Sequence, residues 1–386
     1  MSVSIVQPRQ MLVGGGAIDK LVSVLKQMGL KRPLIVTDAF MMQCGNVARL
    51  TTPLEQAGME YAVFSDTVPD PTSSSIDLGV QALKQHDPDC VVALGGGSPI
   101  DSAKAIAYLA VFGGKMRDYK VPASNDIPGL PLIAIPTTAG TGTESTRFTI
   151  ITDEENDEKM LCIGLAFCPA VALIDYELTL SKPRRLTADT GLDTLTHAIE
   201  AYVSAKNNPF SDGLAQLAMG ALGQHLRTVC EEPNNRPARE AVMLAATQAG
   251  LAFSNASVCL VHGMSRPIGA FFHVPHGLSN AMLLPAVTAF SIQAAPERYA
   301  NCARFMGVAS AADSDDVANQ KLLAELRQLN IDLDVPTPKS YGIDKDKYFS
   351  LLPTMATQAK ASGSPGNNPR VPTEDEMISL YQEIWE

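Results

Sequence analysis

Apolar residues fall along this chain in two rhythms, and the change between them divides it. In the first half they gather into short runs: Pro33–Thr37, Tyr61–Phe64, Cys90–Leu94 and Leu132–Ile135. Their length and lack of alternation fit strands buried on both faces. Between them, Ile18–Met28 and Ser75–Gln85 carry apolar residues at helical spacing. Strands alternating with helices predict an α/β domain with a parallel sheet covered on both sides.

From Leu186 onward helical periodicity dominates, as in Leu214–Val229 and Ala238–Phe253, and strand signals become rare. Ser181-Lys182-Pro183-Arg184-Arg185 reads as the joint. The expectation is an α/β domain over 1–182 and an all-helical domain over 183–386. A chain of 386 residues suits two domains. The stretch Ser362–Pro369, built of Ser, Gly, Pro and Asn, reads as a flexible loop.

The net charge of −11 opposes a phosphate backbone and an anionic membrane surface, so neither nucleic acid nor membrane is an expected partner. It does not exclude a small anionic substrate, for which a local basic group suffices. No apolar run nears the roughly 20 residues that span a bilayer. The opening Met1–Arg9 lacks the charged-then-apolar order of a signal peptide. Seven cysteines without a Cys-x-x-Cys read as buried thiols in a reducing compartment. A cytoplasmic location is the expectation.

Two segments carry metal chemistry. In Gly191-Leu192-Asp193-Thr194-Leu195-Thr196-His197 the spacing is helical, so Asp193 and His197 share one face as i and i+4. A carboxylate and an imidazole so placed form half of a divalent-metal site, although such a pair also arises as a cap or surface pair. The second segment runs from His262 to Gly277. His262 and His276 are each followed by Gly and lie near Pro, which marks irregular backbone. One Asp and three His would suit Fe²⁺, Zn²⁺ or Mn²⁺.

Two turns carry nucleotide chemistry. Gly95-Gly96-Gly97-Ser98 follows a buried strand and opens a helix, where bare backbone and free N–H groups suit a pyrophosphate. It matches neither Gly-x-Gly-x-x-Gly nor a Walker motif, and a ligand-free strand-to-helix turn would look the same. Pro136-Thr137-Thr138-Ala139-Gly140-Thr141 again follows a strand. Two such turns at neighbouring strand ends are what a dinucleotide cleft needs. Asp38 ends a strand, where its carboxylate either accepts from a ribose 2′-OH, favouring NAD over NADP, or caps the next helix.

Together and in order, these four motifs resemble the group III, iron-containing alcohol dehydrogenases, near the lactaldehyde–propanediol oxidoreductase branch. The resemblance runs from about Gly14 to the C-terminus. It implies a dinucleotide-binding domain, a helical metal domain, an active site in the cleft between them, NAD, Fe²⁺ (Zn²⁺ in some members) and a homodimer. By motif match it implies Asp193, His197, His262 and His276 as metal ligands. It places cofactor contacts at Asp38, Asp70, Gly96, Gly97, Ser98, Thr137, Thr138 and Lys159. Its implied chemistry is Lewis-acid activation of a small alcohol or aldehyde with hydride exchange at the nicotinamide.

Three positions depart from the family pattern. The usual His-Gly-Met-x-His-Pro reads His262-Gly263-Met264-Ser265-Arg266-Pro267, so Arg266 replaces a histidine treated as a proton relay or substrate contact. His273 stands where relatives carry an amide, and Asp70 where they carry Asn. Arginine stays protonated and cannot act as a base. Arg266 therefore either binds an acid group on the substrate or pairs with a protein carboxylate, and His273 is the fallback relay. Two rivals share parts of this reading: a dehydroquinate-synthase-like lyase, and a cofactor-binding protein without turnover.

Overall fold

The computed structural model describes residues 2–156 and 158–386. It divides into two compact units, Ser4–Ser181 and Lys182–Glu386, the second including residues 2–3.

Among the described residues the first unit holds eight strands: β1 (Gln10–Val13), β2 (Pro33–Val36), β3 (Ala62–Phe64), β4 (Cys90–Gly95), β5 (Leu132–Pro136), β6 (Phe148–Asp153), β7 (Glu158–Ile163) and β8 (Val171–Ile174). Six form a parallel sheet in the order β1-β8-β5-β4-β2-β3, and β6–β7 form an antiparallel pair. The helices of this unit are α1 (Leu21–Met28), α2 (Ala39–Gln43), α3 (Ala48–Gln56), α4 (Ser73–His86) and α5 (Gly97–Phe112).

Alternation along the strands sorts the core into two layers. Leu34, Val36, Val91, Ala93, Leu132 and Ala134 face the layer containing Ile76 and Leu83 of α4 and Ile100 and Ile106 of α5. Ile35, Cys90, Val92, Leu94, Ile133 and Ile135 face Val24 and Leu25 of α1 and Leu50 and Leu54 of α3. With both faces covered, the strands read as continuous apolar runs. Of the other four strands, β8 (Val-Ala-Leu-Ile) is as apolar and buried as β2 although it is not among the runs named above, β1 is partly exposed at the sheet edge, and β6 and β7 are half-exposed.

The second unit is helical: α6 (Arg184–Val203), α7 (Pro209–Glu231), α8 (Arg236–Asn255), α9 (Leu260–Phe272), α10 (His276–Ser291), α11 (Pro296–Phe305), α12 (Asp315–Asp332), α13 (Pro338–Tyr341), α14 (Lys345–Ala361) and α15 (Glu374–Glu383). Two expectations are corrected here. The His262–His276 segment is two helices meeting at His273-Val274-Pro275, so His262 lies on regular backbone despite its glycines and Pro267. The Ser362–Pro369 stretch is a packed corner rather than a flexible loop. Ser364–Asn367 form a 3₁₀ turn, and Pro365, Asn367 and Asn368 are buried. Asn367 bonds Ser257 and Val258, and Asn368 bonds Ser291 and Arg370.

Candidate active site

In the first unit the site is set by strand order. The chain leaves β2 for β3 on one side and returns through β4 on the other, so the order reverses between β2 and β4. In open α/β sheets a crevice forms at the carboxyl ends of strands where the order reverses. Asp38 follows β2, the three glycines close β4, and Pro136-Thr137-Thr138 end the neighbouring β5.

The turns approach one another closely. A Cβ on Gly97 would lie 3.1 Å from the Thr141 methyl, and one on Gly96 would lie 3.4 Å from Thr138. Helix α5 has no side-chain cap, which leaves its first N–H groups for a ligand. The Thr137 hydroxyl is buried with no hydrogen-bond partner among the described residues. These features fit a dinucleotide phosphate and amide. Asp38 caps α2 by accepting from the Met41 N–H at 2.8 Å, which leaves its second oxygen for a ribose hydroxyl.

Asp70 and Lys159 meet in a different way. They form an ion pair at 2.9 Å, with Asp70 largely exposed and its backbone at φ 50°. The acid found where relatives carry an amide thus has a protein partner, the lysine that motif matching assigned to the cofactor.

Beneath the turns lies a pair that sequence reasoning passed over. Lys104 is fully buried, and its ammonium donates to Thr143 Oγ1, Thr146 O and Oγ1 and Phe148 O. Asp101, three residues earlier, accepts from the Thr143 hydroxyl and the Ile150 N–H. Burial raises the pKa of Asp101 and lowers that of Lys104, and each opposes the other's shift. The pair fastens the first turns of α5 to the segment that follows the second glycine-rich turn. A charged i, i+3 pair inside a helix with almost no polar face is the signal that reveals it.

In the second unit, Asp193 and His197 project from the buried helix α6, His262 from α9, and His276 from the first turn of α10. One donor atom from each falls within 4.8 Å of every other. Asp193 Oδ1 stands 3.6 Å from His262 Nε2, 3.8 Å from His276 Nε2 and 3.9 Å from His197 Nδ1. Ligands about 2.1 Å from a tetrahedral metal are separated by about 3.4 Å, so the cluster has the right size. Asp193, His197 and His262 are buried, whereas the His276 side chain is half-exposed.

The electrostatics fit a cation. Burial alone would push the Asp193 carboxyl up, but His197, His276 and His262 outweigh it and hold the group far below the usual carboxylate range. The Asn280 amide nitrogen donates to Asp193 Oδ1 at 2.7 Å and lies 3.1 and 3.2 Å from His262 Nε2 and His276 Nε2. The Asn280 carbonyl oxygen is buried with no hydrogen-bond partner among the described residues. An electropositive group is thus drawn among the lone pairs of three donors at the cost of an orphaned acceptor, and the donor set suits Fe²⁺ or Zn²⁺.

Glu200 completes the cluster and was not singled out from sequence. Its carboxylate lies 2.6 Å from His262 Nδ1 and accepts from the N–H groups of Cys259 and Val261. It thereby caps α9, whose Cys259 supplies no side-chain cap. With Nδ1 donating to Glu200, Nε2 turns its lone pair toward Asp193. Burial would lower the His262 pKa, but Glu200 and Asp193 push it up to about 9. His197 is held by stacking between Phe253 at 4.3 Å and His262 at 4.4 Å. The legible signal for Glu200 is its place at i+7 from Asp193 on the same helical stripe.

The repeated His-Gly has a packing cause. A Cβ on Gly263 would lie 2.7 Å from Pro365, and one on Gly277 would lie 2.9 Å from the Asp189 carbonyl carbon. Gly263 thus lets α9, which carries His262, approach the Ser364–Asn367 corner, and Gly277 lets the start of α10, which carries His276, approach Asp189 and Asp193 on α6.

The remaining sequence candidates diverge. His273 is exposed in a left-handed conformation, φ 55°, and ends α9. Arg266 is half-buried one turn beyond His262 and makes no hydrogen bond or ion pair among the described residues. The pairing with a protein carboxylate weighed above is therefore absent among them.

Residues 8–176 match the iron-containing alcohol dehydrogenase model, and residues 187–385 match the C-terminal model of the Fe-containing alcohol dehydrogenase family. The chain belongs to the iron-containing alcohol dehydrogenase family. It is 36% identical over 375 residues to an NAD-dependent methanol dehydrogenase of Bacillus methanolicus, covering 97% of this chain and 98% of that one. It is 35% identical over 376 residues to a lactaldehyde reductase of Escherichia coli K12, covering 96% and 97%. A crystal structure of 1,3-propanediol oxidoreductase superposes with a TM-score of 0.95 at 32% identity over 100% of both chains. Membership in this family removes the lyase reading.

Proposed function

We propose that this iron-containing family member interconverts a small primary alcohol and its aldehyde with NAD(H), holding one Fe²⁺ through Asp193, His197, His262 and His276. The observation that carries the proposal is the convergence of those four donor atoms within 4.8 Å, backed by the Glu200–His262 bond. Similar proteins named for methanol, lactaldehyde and 1,3-propanediol support a small substrate.

When bound, the metal supplies a Lewis acid for the substrate oxygen and the nicotinamide supplies or accepts hydride. The chain's own residues do the positioning. Asp193 contributes a carboxylate kept ionised by its three imidazole neighbours. Glu200 fixes the His262 ring, and Phe253 fixes that of His197. The half-exposed His276 leaves that side of the cluster open to a substrate oxygen. In the nucleotide domain, Gly96, Gly97 and Ser98 at the uncapped end of α5 would hold a pyrophosphate, and Thr137 and Thr138 would offer hydroxyls to a nicotinamide amide. The second oxygen of Asp38, whose first accepts from Met41, would accept from a ribose hydroxyl, and Lys159 on β7, paired with Asp70, would supply a positive charge to the phosphates.

We extend the proposal to assembly and location. Strand β1 is an edge strand with one unpaired side and with Val13 exposed, which suits pairing with a second copy as a homodimer. Seven free cysteines suit a reducing cytoplasm. No single helix among the described residues is long and apolar enough to cross a membrane.

Anaerobic reconstitution with Fe²⁺, followed by NADH oxidation across a panel of small aldehydes, tests the proposal. Turnover that needs one metal per chain supports it. A fully loaded protein that oxidises no NADH with any of them overturns it. Light scattering reads the dimer, and the pH profile of His273→Ala reads the relay suggested for that residue.

A further inference from the structure

Arg266 lies four residues after His262 on α9, so the two share one stripe of the helix. Helical side chains lean toward the N-terminus, which carries the Arg266 guanidinium back over the turn that holds His262. The guanidinium is half-buried, and among the described residues no carboxylate, carbonyl or hydroxyl accepts from it. Its one attractive charge partner is Glu200, whose oxygens are already engaged by Cys259, Val261 and His262.

A half-buried cation without a protein acceptor among the described residues contributes little to holding the fold together. Burial does pull its pKa down, but a guanidinium still keeps its charge at neutral pH. Five donors in a planar fork therefore stand on the His262 stripe of α9 with no acceptor among the described residues. The group that matches such a fork is a carboxylate, sulfonate or phosphonate bound in two-pronged fashion. Four residues of helix rise about 6 Å. That spacing suits an acid group about two to four bonds from the carbonyl carbon.

We infer that Arg266 is a substrate-specificity residue that selects a short aldehyde or alcohol carrying a terminal acid group. The inference rests on the alcohol–aldehyde reading above and names its substrate class. No other basic side chain is placed on the His262 stripe within a turn of that residue. A neutral substrate would leave the fork without an acceptor, which is the penalty that discriminates against it.

The test compares kcat/KM for succinic semialdehyde, sulfoacetaldehyde and propanal in the Fe²⁺-loaded enzyme and in Arg266→Met and Arg266→Lys. A charged hydrogen-bonded contact contributes on the order of 10- to 150-fold. The acid-to-neutral ratio is expected to fall by about that factor in Arg266→Met, with partial retention in Arg266→Lys. The two acid substrates separate a planar carboxylate from a sulfonate. Calorimetric titration of the holoenzyme–NADH complex with succinate, which cannot react, gives a readout independent of turnover. Its affinity is expected to fall in parallel.

Equal acid-to-neutral ratios and equal succinate affinity in native and variant enzymes overturn the inference. So does a loss of NADH affinity with the substrate ratio unchanged, which would assign the guanidinium to the cofactor. If the native enzyme turns over no aldehyde yet binds succinate through Arg266, the alcohol–aldehyde reading fails and the anion site stands.

Discussion

Replacing Gly277 with Ala probes how the metal cluster is assembled. The added Cβ would lie 2.9 Å from the Asp189 carbonyl carbon and 3.2 Å from Asp193 Cβ, and closer still to the Asp189 carbonyl oxygen. Ordinary contact begins at 3.4 Å. Helices α6 and α10 must therefore part by about 0.5 Å or more, against a tolerance of about 0.2 Å in metal–ligand distances. Overpacking of this kind costs about 1–3 kcal/mol. If the helices relieve it by separating, loading the metal must restore that strain. Metal affinity is then expected to fall by about 5- to 150-fold. Dialysis against chelator-buffered Zn²⁺ or Fe²⁺ with metal counting per chain measures it. Gly269→Ala, whose Cβ would meet only the Val274 carbonyl at 3.5 Å, is the control and should bind metal normally. Native affinity in Gly277→Ala would refute the claim that close α6–α10 packing sets the ligand geometry.

Glu200→Gln removes the charge beside His262 Nδ1 and sets an amide NH2 donor against the N–H of Val261 or of Cys259 and His262; metal affinity should drop about 10–100-fold, and a change under threefold would remove Glu200 as a positioning residue. Lys104→Met leaves Asp101 and the Phe148 carbonyl without their buried cation. Losing one partner of a buried pair costs about 3–5 kcal/mol, so calorimetry should show a melting transition lower by about 6–20 °C together with weaker NADH binding. Asp38→Ser keeps a capping oxygen for α2 but removes the charge beside the ribose; the ratio of kcat/KM for NADP to that for NAD should rise about tenfold or more, and an unmoved ratio would reduce Asp38 to a helix cap.

The strands most legible in the sequence were those packed on both sides. Pro33–Val36 and Cys90–Gly95 are apolar at nearly every position because helices cover both faces of the sheet. Strand β1 is an edge strand, and β6 and β7 face solvent on one side, so their composition is mixed and their presence depends on partners distant in sequence. The proline and glycines between His262 and Gly277 suggested irregular backbone. Yet Pro267 sits inside α9, and the two glycines serve close helix packing rather than turns. The Ser362–Pro369 corner read as flexible by composition, but it is held by bonds to Ser257, Val258 and Ser291, none of which is a sequence neighbour.

The sequence by itself determined the chemistry available: one Asp and three His in two segments, two glycine-rich strand ends, and an arginine in place of a histidine. Those are covalent facts, and their local spacing follows from helix and strand periods. Only the tertiary structure decided which groups meet. It brought Asp193, His197, His262 and His276 within 4.8 Å and assigned Glu200 to His262. It paired Asp70 with Lys159 and left Arg266 without a hydrogen bond or ion pair among the described residues. Such contacts join residues dozens of positions apart, and their distances come from helix packing and strand order, which no local pattern encodes.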